Sequence, residues 1–124
     1  MNPIEQIEYF NKSMGLHVSD FSDTKMVELM VELVTEEGEE LREAFIDSNE
    51  TAMVDAFGDL IVVAVGALYR LGYDPTAVLN EIYRSNMSKL GADGKPIYRE
   101  DGKLLKGPNF SPPDLTQPDM WRTK

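Results

Sequence analysis

The residues of this chain best suited to chemistry are five carboxylates on two neighbouring predicted helices: Glu36, Glu37, Glu40, Asp55 and Asp59. Residues spaced three or four apart share a helix face, so Glu36 and Glu37 can each reach the same point as Glu40. Asp55 lies on the face of Asp59 for the same reason. If the two helices pack antiparallel, their acidic faces meet, and such a cluster predicts a divalent metal site.

Two of these carboxylates are expected to point inward. Glu37 interrupts an apolar helical row formed by Met30, Val34, Leu41 and Ala44, and Asp59 directly precedes the apolar run 60–68. A buried ionised carboxylate without a partner is costly or is forced to become neutral, and no lysine or arginine lies nearby in sequence, so a cation must come from elsewhere. Mg²⁺ and Mn²⁺ prefer carboxylate and water oxygens, so they fit better than soft metals. The alternative is a solvated acidic face, which suits the remaining glutamates of the helix: Glu28, Glu32, Glu39 and Glu43.

Charge and composition exclude several classes of function. Twelve acidic side chains lie between Asp23 and Asp59 against only Lys25 and Arg42, and the whole chain has a net charge of -10. This charge opposes binding to a phosphate polymer, so we expect no nucleic-acid partner. The absence of cysteine excludes disulfides and thiolate zinc sites. The length of 124 residues predicts one domain over 1–124, with a helical core at about 3–90 and an irregular tail at about 91–124.

Hydrophobic periodicity and capping residues predict four helices. They are expected at about residues 3–13, from Ser22 or Asp23 to Asp47, from Ser48 or Asn49 towards Gly72, and from Asp74 to about Leu90. Glycines and prolines follow, and Asp101-Gly102 predicts a small hairpin. The predicted fold is therefore an all-α, four-to-five-helix bundle protomer with a small C-terminal hairpin and irregular tail.

The run Leu60 to Leu68 is apolar on every side, which predicts burial against more than one helix, including another subunit. We therefore expect a homodimer or homotetramer. The run has only nine residues, too few to cross a bilayer, and the N-terminus does not resemble a signal peptide. The sequence thus predicts a cytoplasmic protein with no membrane partner.

Several of these segments also resemble a known family. The run Glu36-Glu37-Gly38-Glu39-Glu40-Leu41 resembles the EExxE helix of all-alpha nucleoside triphosphate pyrophosphohydrolases, the MazG-like and HisE-like superfamily. Residues 55–60 are similar to its second metal-binding helix, 84–89 to its "RSNMxK" segment and 101–110 to its "DGKxxKGPN" tail. One departure concerns the ExxD motif of the second helix, because Ala56 stands three residues before Asp59 and the acid is instead Asp55.

The resemblance implies hydrolysis of a nucleoside triphosphate between the α and β phosphates, giving a monophosphate and pyrophosphate. It implies Mg²⁺, replaceable by Mn²⁺, held by the five carboxylates, with Glu36 or Glu37 as the catalytic base. The residues that it implies for the substrate are Arg84, Asn86, Lys89, Lys103 and Lys106 for phosphate, and Phe10 and Asn11 for the base.

Three functional interpretations follow. The first is a (d)NTP pyrophosphohydrolase with a preference for dGTP or GTP, in the host cytoplasm if the chain is viral. The second is a phosphoribosyl-ATP pyrophosphohydrolase, since the segments at 84–89 and 107–110 are shared with such enzymes. The third is a noncatalytic acidic helical module that binds a basic partner or an ion.

Overall fold

The computed structural model describes residues 1–122, and its regular structure is helical throughout. The four α-helices are α1 (Pro3–Ser13), α2 (Thr24–Ile46), α3 (Glu50–Arg70) and α4 (Pro75–Met87), and one short 3-10 helix spans Pro118–Met120. No strand occurs within residues 1–122. The all-α class predicted from the sequence is confirmed.

Each α-helix begins at a side-chain cap that lies next to it in sequence. Asn2 forms a reciprocal capping box with Glu5 at the start of α1. The carboxylate of Asp23 accepts from the Met26 N–H, and the amide oxygen of Asn49 accepts from the Ala52 N–H. Asp74 caps α4, whose first residue is a proline. These local hydrogen bonds explain why the predicted helix starts agree with the structure.

The chain forms two compact units, one of Met1–Tyr73 with Arg122 and one of Asp74–Trp121. In the first unit α2 packs along α3, and α1 packs against α3. Its core is apolar: Ile7, Met26, Met30, Ala44, Ala56 and Val65. The proposal of a single domain over 1–124 stays a prediction.

In the second unit the 3-10 helix packs against α4. The segment between them contains the predicted hairpin only as a turn closed by a single bridge. Tyr98 and Leu104 form one isolated antiparallel bridge, and Gly102 occupies the left-handed region at the turn with a φ of 86°. The bridge does not extend into strands within this segment.

The end of α4 is determined by the tail that returns to it. The helix stops at Met87, three residues before the predicted end at Leu90. The Ser88 hydroxyl donates to the Ser85 carbonyl at 2.6 Å and accepts from the Ser111 N–H at 2.9 Å. The Gly107 N–H donates to the Lys89 carbonyl at 2.8 Å, and a Cβ at position 107 would overlap the Leu90 carbonyl. Only glycine fits this close backbone approach.

One side of α3 remains apolar and exposed in the chain. Val54, Phe57 and Ile61 lie at helical spacing and are 71%, 52% and 59% exposed. By length and composition α3 could cross a membrane, although the core helix of a soluble protein meets the same criteria. This is a weak indication of a membrane span.

Candidate active site

Glu37 is the central carboxylate of the acidic cluster. It lies on the α2 face that carries the buried residues Met30 and Ala44, as the periodicity predicted. Its Oε2 atom is buried and has no hydrogen-bond partner among residues 1–122. Burial raises the pKa of Glu37 above its ordinary value, and the charges of Glu40, Asp59 and Asp55 raise it further. A buried acceptor is thus surrounded by like charges.

The other predicted metal ligands differ in exposure. Asp59 is half-buried on α3, whereas Glu40 and Asp55 are exposed at the edge of the cluster. Glu36 is exposed on α2 and is not among the groups that shift the pKa of Glu37. Glu40, Asp55 and Asp59 are therefore close enough for their charges to act on Glu37, whereas Glu36 is exposed to solvent on α2.

The departure at the second motif has a structural counterpart. Ala56 is only 3% exposed and faces the interior on α3, at the position where the ExxD pattern would place an acid. Asp55 is one residue earlier and therefore lies towards solvent, although its charge still acts on Glu37. Asp59 is thus the more enclosed of the two acids on α3.

The carboxylate oxygens of the cluster are the type of donor that a hard divalent cation binds. None of the ion pairs within residues 1–122 involves the five predicted ligands, so no protein cation neutralises them. The unpaired buried Oε2 of Glu37 is an oxygen donor that lacks a partner, and Mg²⁺ and Mn²⁺ prefer such donors. In the described chain no three acidic or histidine side chains are already arranged at metal-binding distances.

Arg84, a predicted phosphate ligand, is engaged within its own unit. Its Nε and Nη2 donate to the two carboxylate oxygens of Glu81 at 2.7 and 2.9 Å, and Nη2 also donates to the Pro112 carbonyl at 3.1 Å. Oε2 of Glu81 accepts from the Asp114 N–H at 2.7 Å. The hydrogen bond from Arg84, followed by that from Asp114, lowers the pKa of Glu81 to about 2.

The other predicted phosphate ligands belong to the same unit. Asn86, Lys103 and Lys106 are exposed, and Lys89 is half-buried. The Lys106 ammonium lies 4.7 Å from the centre of the Phe110 ring, a cation–π contact. Their role in binding phosphate stays a prediction.

The two predicted base-binding residues have different surroundings. Phe10 is 48% exposed, whereas Asn11 is 4% exposed and donates through Nδ2 to the Ile7 carbonyl at 2.9 Å. Both line a cavity of about 160 Å³ between α1, α2 and α3. The structure therefore places Asn11 inside the cavity and leaves the ring of Phe10 partly exposed to solvent.

Two charged residues near these elements were missed by the sequence interpretation. Arg70, the last residue of α3, is 8% exposed and lines the same cavity as Asn11. Glu81 binds Arg84. Arg70 could have been found from its spacing, because it follows Asp59 and Gly66 on one helical face. The pairing of Glu81 with Arg84 could have been found from their spacing of three, whereas its bond from the Asp114 N–H could not, because Asp114 is distant in sequence.

Comparison with known proteins agrees with this geometry. A family model described as phosphoribosyl-ATP pyrophosphohydrolase matches residues 9–86, more than half of the chain. The matched region includes the five carboxylates, and it ends before Lys89, Lys103 and Lys106. No curated protein matches the chain.

Pyrophosphohydrolases of this MazG-like superfamily commonly depend on a divalent metal, and the family is normally soluble and cytoplasmic. The helical fold, the acidic cluster on α2 and α3, and the family match therefore lead to one assignment. The chain belongs to the phosphoribosyl-ATP pyrophosphohydrolase family of the MazG-like all-alpha superfamily and is a hydrolase that acts on an acid anhydride bond.

Proposed function

We propose that this hydrolase is a divalent-metal-dependent (d)NTP pyrophosphohydrolase that cleaves the bond between the α and β phosphates. The observation that carries this proposal is the buried, unpaired Oε2 of Glu37, surrounded by the charges of Glu40, Asp59 and Asp55. A buried ionised carboxylate needs a counter-charge, and without one it takes up a proton and becomes neutral. A cation bound with a triphosphate would provide that counter-charge.

Each carboxylate has a proposed role. Glu37, Glu40 and Asp59 would hold Mg²⁺ or Mn²⁺, with Asp55 at the edge and Glu36 completing the ligand set. When bound, the ion supplies positive charge for the phosphate oxygens and lowers the pKa of water. Glu36 is the proposed base because its exposed carboxylate can accept a proton from solvent water, and Glu37 is the alternative.

The reaction is a hydrolysis. The oxygen of water forms a bond to phosphorus, and the bond between that phosphorus and the α–β bridging oxygen breaks. One proton of the water passes to the Glu36 carboxylate. The products are a nucleoside monophosphate and pyrophosphate.

The remaining assignments concern the substrate and assembly. Arg84, Asn86, Lys89, Lys103 and Lys106 are proposed to bind phosphate oxygens. Phe10 and Asn11 are proposed to contact the base, with dGTP or GTP preferred. The exposed apolar face of α3 supports a homodimer or homotetramer, and the family supports a cytoplasmic location.

The direct test is pyrophosphate release from the eight common NTPs and dNTPs, with and without Mg²⁺ or Mn²⁺. Each nucleotide product is identified by chromatography. We expect metal-dependent formation of a monophosphate and pyrophosphate in equal amounts. Release of orthophosphate, or equal turnover in EDTA, would contradict the proposed reaction.

A second candidate substrate is phosphoribosyl-ATP, which the name of the matched family favours. It contains the same α–β anhydride bond, so the same carboxylates would serve. Adding phosphoribosyl-ATP to the panel separates the two, because the preferred substrate has the higher kcat/KM. Membership in an enzyme family argues against the noncatalytic interpretation.

A further inference from the structure

The cavity between α1, α2 and α3 contains a buried cation that has no counter-charge. Arg70 is 8% exposed, and no ion pair within residues 1–122 involves it. Its Nε donates to the His17 carbonyl at 3.3 Å, while both Nη atoms make no hydrogen bond to the described chain. The C-terminal end of α3 offsets part of the cost of this charge, but two donors are left for a ligand.

The cavity also offers one acceptor. Asn11 is 4% exposed, and its Nδ2 is used by the Ile7 carbonyl. Its Oδ1 accepts no hydrogen bond from residues 1–122. The remaining walls are largely apolar and include Met30 and Leu33 of α2 and Val62 of α3. A ligand for this cavity should therefore be flat and apolar on its faces, with two acceptors and one donor on its edge.

The size of the cavity favours the base of a nucleotide as its ligand. The cavity has a volume of about 160 Å³, and apolar cavities of about 150 Å³ in other proteins bind one aromatic ring. A bicyclic base would extend through the mouth, where the half-exposed ring of Phe10 can stack on it.

The cavity also lies at a suitable place relative to the carboxylates. On α3, Asp59, Val62, Gly66 and Arg70 share one face, and the helix rises about 16 Å from Asp59 to Arg70. On α2, Leu33 is one turn from Glu37. A nucleotide lying along this face would therefore have its phosphates near the acidic cluster and its base near Arg70.

We infer that this cavity binds a 6-oxopurine base, guanine or hypoxanthine, and that Arg70 determines this specificity. The two Nη groups of Arg70 donate to O6 and N7 of the base, the pair of coplanar acceptors that an arginine fork fits. Oδ1 of Asn11 accepts from N1–H. Adenine carries an amino group in place of O6, and uracil lacks N7. The inference rests on the proposed function and names the substrate class of the same site.

Binding tests the inference without turnover. Titration calorimetry in EDTA measures the affinities of GMP, IMP, AMP and UMP for the full chain. We expect GMP and IMP to bind about tenfold to a hundredfold more tightly than AMP and UMP, and Arg70→Gln to remove that difference. The matched control is Arg42→Gln, an exposed arginine of α2, which should retain the preference.

A substrate analogue tests the contact to N7 without any variant. The kcat/KM for 7-deaza-dGTP should fall at least fivefold below that for dGTP in the wild type, because one hydrogen bond from Arg70 is lost. In Arg70→Gln the two substrates should be used equally. Arg70→Lys retains the charge without the fork, so it should keep the fold and still lose most of the preference.

The outcomes separate this inference from the proposed function. If no nucleotide is hydrolysed but GMP and IMP still bind preferentially, the proposed function fails and the base assignment holds. If nucleotides are hydrolysed without a 6-oxopurine preference, or if uracil nucleotides bind best, the base assignment fails. It also fails if Arg70→Gln and Arg70→Lys weaken the binding of all four monophosphates equally, because that result would indicate a structural role for Arg70. Should the Arg70 variants not fold, equal use of dGTP and 7-deaza-dGTP by the wild type would overturn it.

Discussion

At the scale of single residues, Glu37 combines a cost to folding with a proposed role in catalysis. Its carboxylate is partly buried among Glu40, Asp59 and Asp55, which raises its pKa. A raised pKa means that the folded state prefers the protonated form, so ionisation above the ordinary range destabilises the protein without metal. Glu37 therefore lowers the stability of the metal-free protein while providing a ligand for the proposed metal ion.

The first prediction concerns Glu37→Gln, which removes the charge at nearly constant volume. Turnover should fall on the order of 100-fold or more, because the variant loses a proposed metal ligand. The metal-free variant should melt at a higher temperature than the metal-free wild type, because like-charge repulsion is relieved. Steady-state kinetics and thermal unfolding in EDTA measure the two effects. Glu39→Gln, on the exposed side of α2, is the control and should keep full activity; a fully active Glu37→Gln would refute the metal assignment.

The second prediction concerns the ion pair of Glu81. The pKa of Glu81 is lowered to about 2 from an ordinary value of 4.5, so its contribution to stability is complete above about pH 4.5. That contribution is lost as the pH falls from about 4.5 to about 2. Urea unfolding of wild type and Glu81→Gln between pH 7 and pH 2 should give a stability difference that narrows across this window. A constant difference would show that the carboxylate does not carry the effect, and exposed Glu100→Gln serves as the control.

At the scale of elements, the segments with the "RSNMxK" and "KGPN" patterns are connected in the structure. Ser88 hydrogen bonds to Ser111, Gly107 hydrogen bonds to Lys89, and Arg84 reaches Pro112. These contacts hold the tail against the end of α4. Part of what resembles a phosphate-binding pattern therefore also has a structural role, and Arg84 contributes to the architecture of its unit.

The third prediction tests this connection with Gly107→Ala. An added Cβ would overlap the backbone carbonyl of Leu90, so the tail must shift. We expect the free energy of unfolding to fall by about 1–3 kcal/mol, the usual cost of overpacking. Chemical denaturation measures it. Gly38→Ala is the control, because nothing lies within 4 Å of its Cβ position and alanine favours a helix. Equal stability of Gly107→Ala and wild type would contradict the close approach.

At the scale of the whole molecule, the exposed apolar face of α3 is the main surface that the fold of the single chain leaves unexplained. Among the residues of α3 only Ala56, Val65, Gly66 and Arg70 are buried within the described chain. Large contiguous apolar surfaces on soluble proteins usually contact another molecule. A second copy of the chain would cover this face through a symmetric contact.

The fourth prediction is that the wild type is an oligomer, as proposed, and that Ile61→Glu makes it a monomer. Ile61 is 59% exposed in the protomer, so the charge should not disturb the helical fold but should oppose burial of α3 against a partner. Light scattering should give at least twice 14.0 kDa for the wild type and 14.0 kDa for the variant. A monomeric wild type would refute the predicted assembly, and circular dichroism checks that the variant is folded.

The sequence by itself determined the helices and the inward direction of Glu37. Helix ends depend on caps such as Asn2, Asp23 and Asn49, which act within a few residues, and the periodicity of α2 alone shows which of its glutamates join the apolar row. These properties are local, so the order of residues is sufficient to predict them.

Only the tertiary structure decided which side chains become partners. It placed the distant Pro112 carbonyl on Arg84 and the Asp114 N–H on Glu81, buried Asn11, and left Arg70 in the same cavity without an ion pair to residues 1–122. It also placed Ala56 in the interior and Asp55 towards solvent. The reason is physical: the protonation and partners of a charged group depend on burial and on neighbours from other elements, and chain folding alone brings those together.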